Sequence, residues 1–252
     1  GNEMSAANLF LYRNKYQIKI AFYDGIFFRK YFIDGKPYFS LPLICDESIL
    51  KSPDYIERKK QKILQGIEIL KSENPENAKT LDLFYVYESD LEFLKTAFHG
   101  KIQESLDEKH FDYIYLRENL DKLSGSKYQK KRNHVNKFRQ KHPHCKAVPI
   151  TPELLPAVQQ MVENWYSGRL ETESPDDYHL ERQAISRAFA NMEALGLEGM
   201  ALVENGEILA YLRTFYPQGE SECARIGRVI SAKRGIGMGT KVLSAGIAAV
   251  KE

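Results

Sequence analysis

Three dipeptides constrain the fold of this 252-residue chain more than any other feature: Asp24-Gly25, Asp34-Gly35 and Asn205-Gly206. Each lies between runs rich in aromatic and β-branched residues. A two-residue hairpin loop needs positive φ at both positions, and Asn, Asp and Gly accept that conformation at the least cost. The first two dipeptides divide "YQIKIAFYDGIFFRKYFIDGKPYFSLPL" into a three-stranded meander over residues 16–43, and the third joins "GMALVE" to "EILAYLRTFY". Antiparallel sheet is therefore expected in both halves of the chain.

Helical periodicity fills much of the rest. In "PDYIERKKQKILQGIEILKS" Ile56, Lys60, Ile63, Ile67 and Leu70 recur every three or four positions, which predicts one apolar face. "KTLDLFYVY" predicts a buried strand, "SDLEFLKTAFHG" a helix capped by Ser89 and stopped by Gly100, and "HFDYIYL" a further strand. After the break "KHPHCKAVP" come a short strand at 145–149, a helix entered through Thr151-Pro152, a loop, a second helix ending at Gly196, the hairpin, and the strand "CARIGRVIS". The expected class is α/β (α+β). Two domains are expected, 1–144 and 145–252, each with a mixed, mainly antiparallel sheet flanked by helices.

Charge and cysteine content narrow the function. With 36 basic and 34 acidic residues the net charge is only +2, so affinity for a polyanion has to come from a local cluster. Three widely spaced cysteines do not make a disulfide framework and indicate a reducing compartment. No apolar run reaches membrane-spanning length and the start "GNEMSAANLF" is no signal peptide, so the cytoplasm is the expected location. "HPHC" has metal-ligand residue types without a second cluster at zinc spacing, and no metal is expected.

"RVISAKRGIGMGTKVL" places Gly235, Gly237 and Gly239 between an apolar run and a helical pattern. A P-loop needs Gly-Lys-Ser/Thr, whereas here Thr240 precedes Lys241, and a dinucleotide fingerprint needs a longer βαβ unit than the remaining chain provides. Arg234-x-x-Gly237-x-Gly239 between strand and helix resembles the coenzyme A loop of the GNAT N-acyltransferases. Main-chain N–H groups at a helix N-terminus suit a pyrophosphate, and bare glycines let it approach. The resemblance implies that Arg234, Gly235, Ile236, Gly237, Met238, Gly239 and Thr240 hold acetyl-CoA or another acyl-CoA, and that the strand at Val229 and Ile230 pairs with pantetheine. A glycine-rich turn that packs a helix closely on a sheet would read similarly.

A second stretch, "FDYIYLRENLDKLSGSKYQKKRNHVNKFRQKHP", resembles bacterial proteins related to the C-terminal domain of lysylphosphatidylglycerol synthase, most specifically at "KKRNHVNKF". That resemblance runs from the Asp-Gly hairpins to about Tyr211, after which the chain turns acetyltransferase-like. It implies a tandem GNAT architecture in which some relatives take an amino acid from aminoacyl-tRNA. It also implies that the chain stops before the final strands of a second GNAT domain. From Lys127 to Lys146 there is no acidic residue, and Lys127, Lys130, Lys131, Arg132, His134, Lys137 and Arg139 form a candidate surface for tRNA or anionic lipid. A solvated helix whose charges balance acids elsewhere is the plainer alternative.

The GNAT resemblance implies direct acyl transfer from acyl-CoA to an amine on a small molecule or peptide, which needs a base, oxyanion donors and an acid for the thiolate. Glu222, on the strand before the loop, and Glu198, beside the hairpin, are the candidate bases. Trp165 and Tyr166 are candidates for the acceptor mouth, or else core. Three functions follow: an acyl-CoA dependent N-acyltransferase, an aminoacyl-tRNA dependent transferase acting on a lipid or peptide, and a non-catalytic binding module.

Overall fold

The computed structural model describes residues 5–74, 80–106, 115–167, 175–215 and 225–231. It forms two compact units, Tyr12–Phe111 and Asn2–Leu11 with Asp112–Glu252. The first helix, α1 (Ala6–Leu11), thus belongs with the second unit.

The first unit is built on the predicted meander of β1 (Lys19–Tyr23), β2 (Ile26–Ile33) and β3 (Lys36–Ser40). Asp24 and Asp34 have φ of 50°, with Gly25 at 73° and Gly35 at 75°, which is the paired positive φ that tight hairpins require. The two-residue β4 (Leu43–Ile44) pairs antiparallel with β2. α2 (Glu47–Leu50) is capped by the Asp46 carboxylate, which accepts from the Ser48 N–H at 2.9 Å.

α3 (Tyr55–Ser72) buries Ile63, Gly66, Ile67 and Leu70. Gly66 marks the closest approach, since a Cβ there would stand 2.8 Å from Pro42 Cβ. Ile56, expected on the same face, is 66% exposed; the apolar pattern extends beyond the part of the helix that packs. β5 (Leu83–Phe84) runs parallel to β3 and makes the sheet mixed. It is far shorter than "KTLDLFYVY" predicts, because Tyr85 takes a φ of 57° and leaves strand geometry. α4 (Glu88–Ala97) has Tyr87 rather than Ser89 at its N-cap, while Gly100 ends it as expected, with φ 71° and its N–H donating to Lys95 O. The predicted strand at 110–116 lies outside the described residues except for Tyr115 and Leu116, which are exposed and not in a strand.

The second unit continues with α5 (Arg117–Lys122), a 3₁₀ turn (Ser126–Tyr128), α6 (Gln129–Lys141), β6 (Lys146–Pro149), α7 (Leu155–Ser167), α8 (Pro175–Ala190), β7 (Leu197–Glu204), β8 (Glu207–Phe215) and β9 (Arg225–Ser231). Asn205 and Gly206 turn β7 into β8 with φ of 51° and 83°. The sheet order is β6-β7-β8-β9, every pair antiparallel. Ala201, Tyr211 and Ile230 pack with Val158, Val162 and Tyr166 of α7 and with Ile185 and Phe189 of α8. Alternate residues Leu202, Ala210 and Leu212 face Phe138 of α6 on the opposite side. α1 lies along α8, where Arg187 Nη1 donates to Leu11 O at 3.0 Å.

The basic segment, expected to close a domain ending at 144, packs through Phe138 on the second sheet, and the units divide after Phe111. The ladder of β9 with β8 runs from Phe215↔Arg225 to Ala210↔Ser231. Thr151 begins α7 through a turn, its carbonyl accepting from the N–H groups of Leu154 and Leu155. No helix among the described residues is long and apolar enough to cross a membrane.

Candidate functional site

α6 lacks Gly and Pro, and it is held by only two buried side chains, Val135 and Phe138. Val135 packs with Leu123 and Tyr128, Phe138 with the sheet. Every other face of the helix is available to solvent, and its cations occupy it. Lys130, His134, Lys137 and Lys141 follow one another at spacings of four, three and four, so they form one exposed stripe of about 16 Å. Lys131 and Arg139 are also exposed. Among the described residues none of Lys130, Lys131, Lys137, Arg139 and Lys141 pairs with a carboxylate. Such a stripe suits phosphates spaced along a backbone, and it offers no exposed apolar group of its own.

Two members of the predicted cluster have local duties instead. Arg132 turns its guanidinium back, Nη1 donating to Leu123 O and, at 2.6 Å, to Gly125 O. Leu123 has φ 47° and Gly125 φ 83°, so this clamp ties down the irregular turn between α5 and α6. The Lys127 ammonium lies 5.7 Å from the Tyr128 ring centroid.

At the far end of the helix, His142 stacks on Phe138 at 4.8 Å between ring centroids and 25° between planes. Its Nδ1 is 2.6 Å from Glu204 Oε2, which joins α6 to the β7–β8 hairpin. That pairing was not foreseen from "HPHC", whose histidine partner lies 62 residues away. An open cavity of about 670 Å³ adjoins it, lined by Pro143, His144, Lys146, Val148, Leu154 and Val203 among others. Among the described residues, no three His, Cys, Asp or Glu side chains come together as metal ligands would.

The remaining candidates are dispersed. Glu198 is exposed on β7 opposite Thr214, with β8 between it and β9. Val229 is 37% exposed, whereas Ile230 is 2% exposed in the core under α7 and α8. Trp165 and Tyr166 are edge to face at 4.9 Å, and Tyr166 is fully buried with its hydroxyl donating to Glu181, so this pair belongs to the core rather than to an acceptor mouth. Glu222 and the loop Arg234 to Thr240 lie outside the described residues.

The family model described as phosphatidylglycerol lysyltransferase, C-terminal, matches residues 67–224, a span that includes all of α6. A crystal structure of a conserved protein of unknown function from Bacteroides thetaiotaomicron is similar over 99% of this chain and 78% of its own, with 23% identity and a TM-score of 0.76. The C-terminal domain of a protein assigned as a lysylphosphatidylglycerol synthetase from Agrobacterium fabrum is similar over 98% of this chain and 71% of its own, with 12% identity and a TM-score of 0.56. An acetyltransferase of the GNAT family from Desulfovibrio desulfuricans matches 42% of this chain and 65% of its own at 15% identity; its TM-score of 0.33 carries no argument. No curated protein matches the chain in a sequence comparison.

Proposed function

The chain belongs to the family of phosphatidylglycerol lysyltransferase C-terminal domains, and from that premise we propose that it transfers an aminoacyl group from an aminoacyl-tRNA to a lipid acceptor. The observation that carries the reading is the family match through α6, on which Lys130, Lys131, Lys137, Arg139 and Lys141 meet no carboxylate among the described residues. In such a transfer the acceptor's nucleophile attacks the ester carbonyl, the ribose hydroxyl leaves, and the acceptor's proton ends on that oxygen. Lys130, Lys131, Lys137 and Arg139, with His134, would hold the RNA backbone and reduce the charge repulsion between RNA and an anionic lipid. Glu198 and Glu222 are proposed as the groups that take the acceptor's proton. The tandem GNAT architecture belongs to this same reading, one domain per unit.

The test is transfer of label from a mixture of radiolabelled aminoacyl-tRNAs into the lipid phase of phosphatidylglycerol vesicles. Label in the lipid, lost on ribonuclease treatment of the donor, is the expected result. A second reading, acyl transfer from acyl-CoA to an amine, is favoured by Arg234-x-x-Gly237-x-Gly239. Transfer from labelled acetyl-CoA with none from tRNA would replace the first reading by the second. Transfer from neither donor, with tRNA still bound, would leave a binding module.

A further inference from the structure

Arg213 of β8 is only 4% exposed, and among the described residues its Nε has no hydrogen-bond partner. Among the described residues no carboxylate lies within ion-pair distance of it. Three arginines elsewhere in the unit show the usual arrangement. Arg132 holds two carbonyls, Arg182 meets Glu163, and Arg187 donates to Leu11 O and Gln183 Oε1. A guanidinium does not shed its proton, so a buried one without an anion leaves a full charge uncompensated.

Among the described residues no side-chain hydrogen bond or ion pair reaches Arg213. Alternation puts it on the face of Tyr211, whose ring is part of the apolar cluster under α7 and α8. Its partner on β7 is Gly199, above which Ile150 packs so closely that a Cβ on the glycine would be 2.7 Å from Ile150 Cδ1. Its partner on β9 is Arg228, so two arginines share one cross-strand position. The register also shifts just here: Thr214 opposes Ile226, which leaves Gly227 as an extra residue in β9. Bulges of this kind bend a strand and redirect its side chains, often beside a ligand.

We propose that Arg213, at the register position it shares with Arg228, is the receptor for a phosphate group on the α7 and α8 side of the second sheet. The fork of a guanidinium matches two phosphate oxygens, and in a buried site that charge-assisted pair is strong. Nucleotide donors and phospholipid acceptors both carry such a group, so the proposal does not rest on which donor the protein uses.

Thermal melts of the whole chain test it, with inorganic pyrophosphate, adenosine monophosphate and glycerol phosphate each at about 10 mM, where even millimolar binding raises the melting temperature measurably. The wild type should gain a few degrees with at least one probe, and Arg213→Met should lose that gain while Lys36→Glu, at an exposed site in the first unit, keeps it. Unliganded Arg213→Met should melt about 3 °C higher than wild type, because a buried uncompensated charge is gone. Where Arg213→Met does not fold, Arg213→Lys carries the test, since an ammonium keeps the charge without the fork; it should lose at least half of the gain. A gain with adenosine monophosphate alone assigns the phosphate to a nucleotide, and one with glycerol phosphate alone to a lipid headgroup. A wild type that no probe stabilises, or a folded variant at position 213 that keeps the whole gain, overturns the proposal.

Discussion

Four lysines of the first unit and the outward cations of α6 differ in what they face. In the first unit Lys59 meets Asp90 at 2.6 Å, Lys62 meets Asp24 at 2.5 Å, Lys71 meets Glu68 at 2.7 Å and Lys95 meets Glu104 at 3.1 Å. On α6, among the described residues, Lys130, Lys131, Lys137, Arg139 and Lys141 meet no acid. A net charge of +2 over the chain therefore hides a difference between these two sets of cations. The difference teaches that charge balance has to be read element by element: the first set is spent within the fold, and the second is presented outward.

The largest loss is expected at the residue that holds the basic helix in place. Phe138 is 1% exposed between α6 and the sheet. Phe138→Ala should lower stability by about 3–4 kcal/mol through lost burial and the cavity left behind. Chemical denaturation reads this as a lower midpoint at constant slope, and tRNA binding should fall with the folded fraction alone. Reversing Lys130, Lys137 and Lys141 to glutamate together should weaken tRNA binding by about 100-fold at low salt and flatten its salt dependence by about three counterions. The melting temperature should hardly change, because these side chains stabilise nothing within the described residues. A melting temperature that collapses with the triple reversal would show the α6 cations to be structural, like those of the first unit.

How far the sequence revealed this arrangement depends on whether the determinants are local. The three hairpins were legible because Asp-Gly and Asn-Gly carry their φ requirement in two adjacent residues. The helical character of α6 was legible from its unbroken run and its two inward apolar residues. The role of Arg132 was not, because its acceptors are main-chain carbonyls, which every sequence has. The domain boundary was misplaced for a related reason: Phe138 looks the same whether it packs on the unit before it or on the one after. Arg213 is the instructive failure. A lone cation in "EILAYLRTFY" stands two places after inward Tyr211, so alternation gives its face, but the sequence does not say whether an acid meets it there. The loop Arg234 to Thr240 and Glu222 lie outside the described residues.

Arg132 provides a third, smaller test, since it belongs to the basic cluster by sequence and to the fold by geometry. Arg132→Met removes donors from Leu123 O and Gly125 O and should lower stability by about 2 kcal/mol, as loss of hydrogen bonds to a charged group does. Its tRNA affinity should fall much less than that of any single lysine reversal on the exposed stripe. The reverse outcome, an unchanged melt with a large loss of binding, would move Arg132 back among the cations that face outward.

The smallest effect is an acid-sensitive one confined to the first unit. The Asp24 carboxyl is held below its ordinary value, first by the hydrogen bond from Lys62, then by that from Gln65 and by the Lys62 charge. The folded protein therefore binds this proton less readily than the unfolded chain does. The stability this provides is complete at neutral pH, above the unfolded value near about 4, and is lost as pH falls through the lower folded value. Lys62→Met should accordingly lower the melting temperature slightly at pH 7, and the gap to wild type should close as the solution is acidified below that range. Lys137→Met on α6 should show no such gap at either pH, because no carboxylate among the described residues depends on it. Equal pH-dependent gaps in the two variants would mean that α6 has an acidic partner after all, and the contrast between the two regions would then be one of degree.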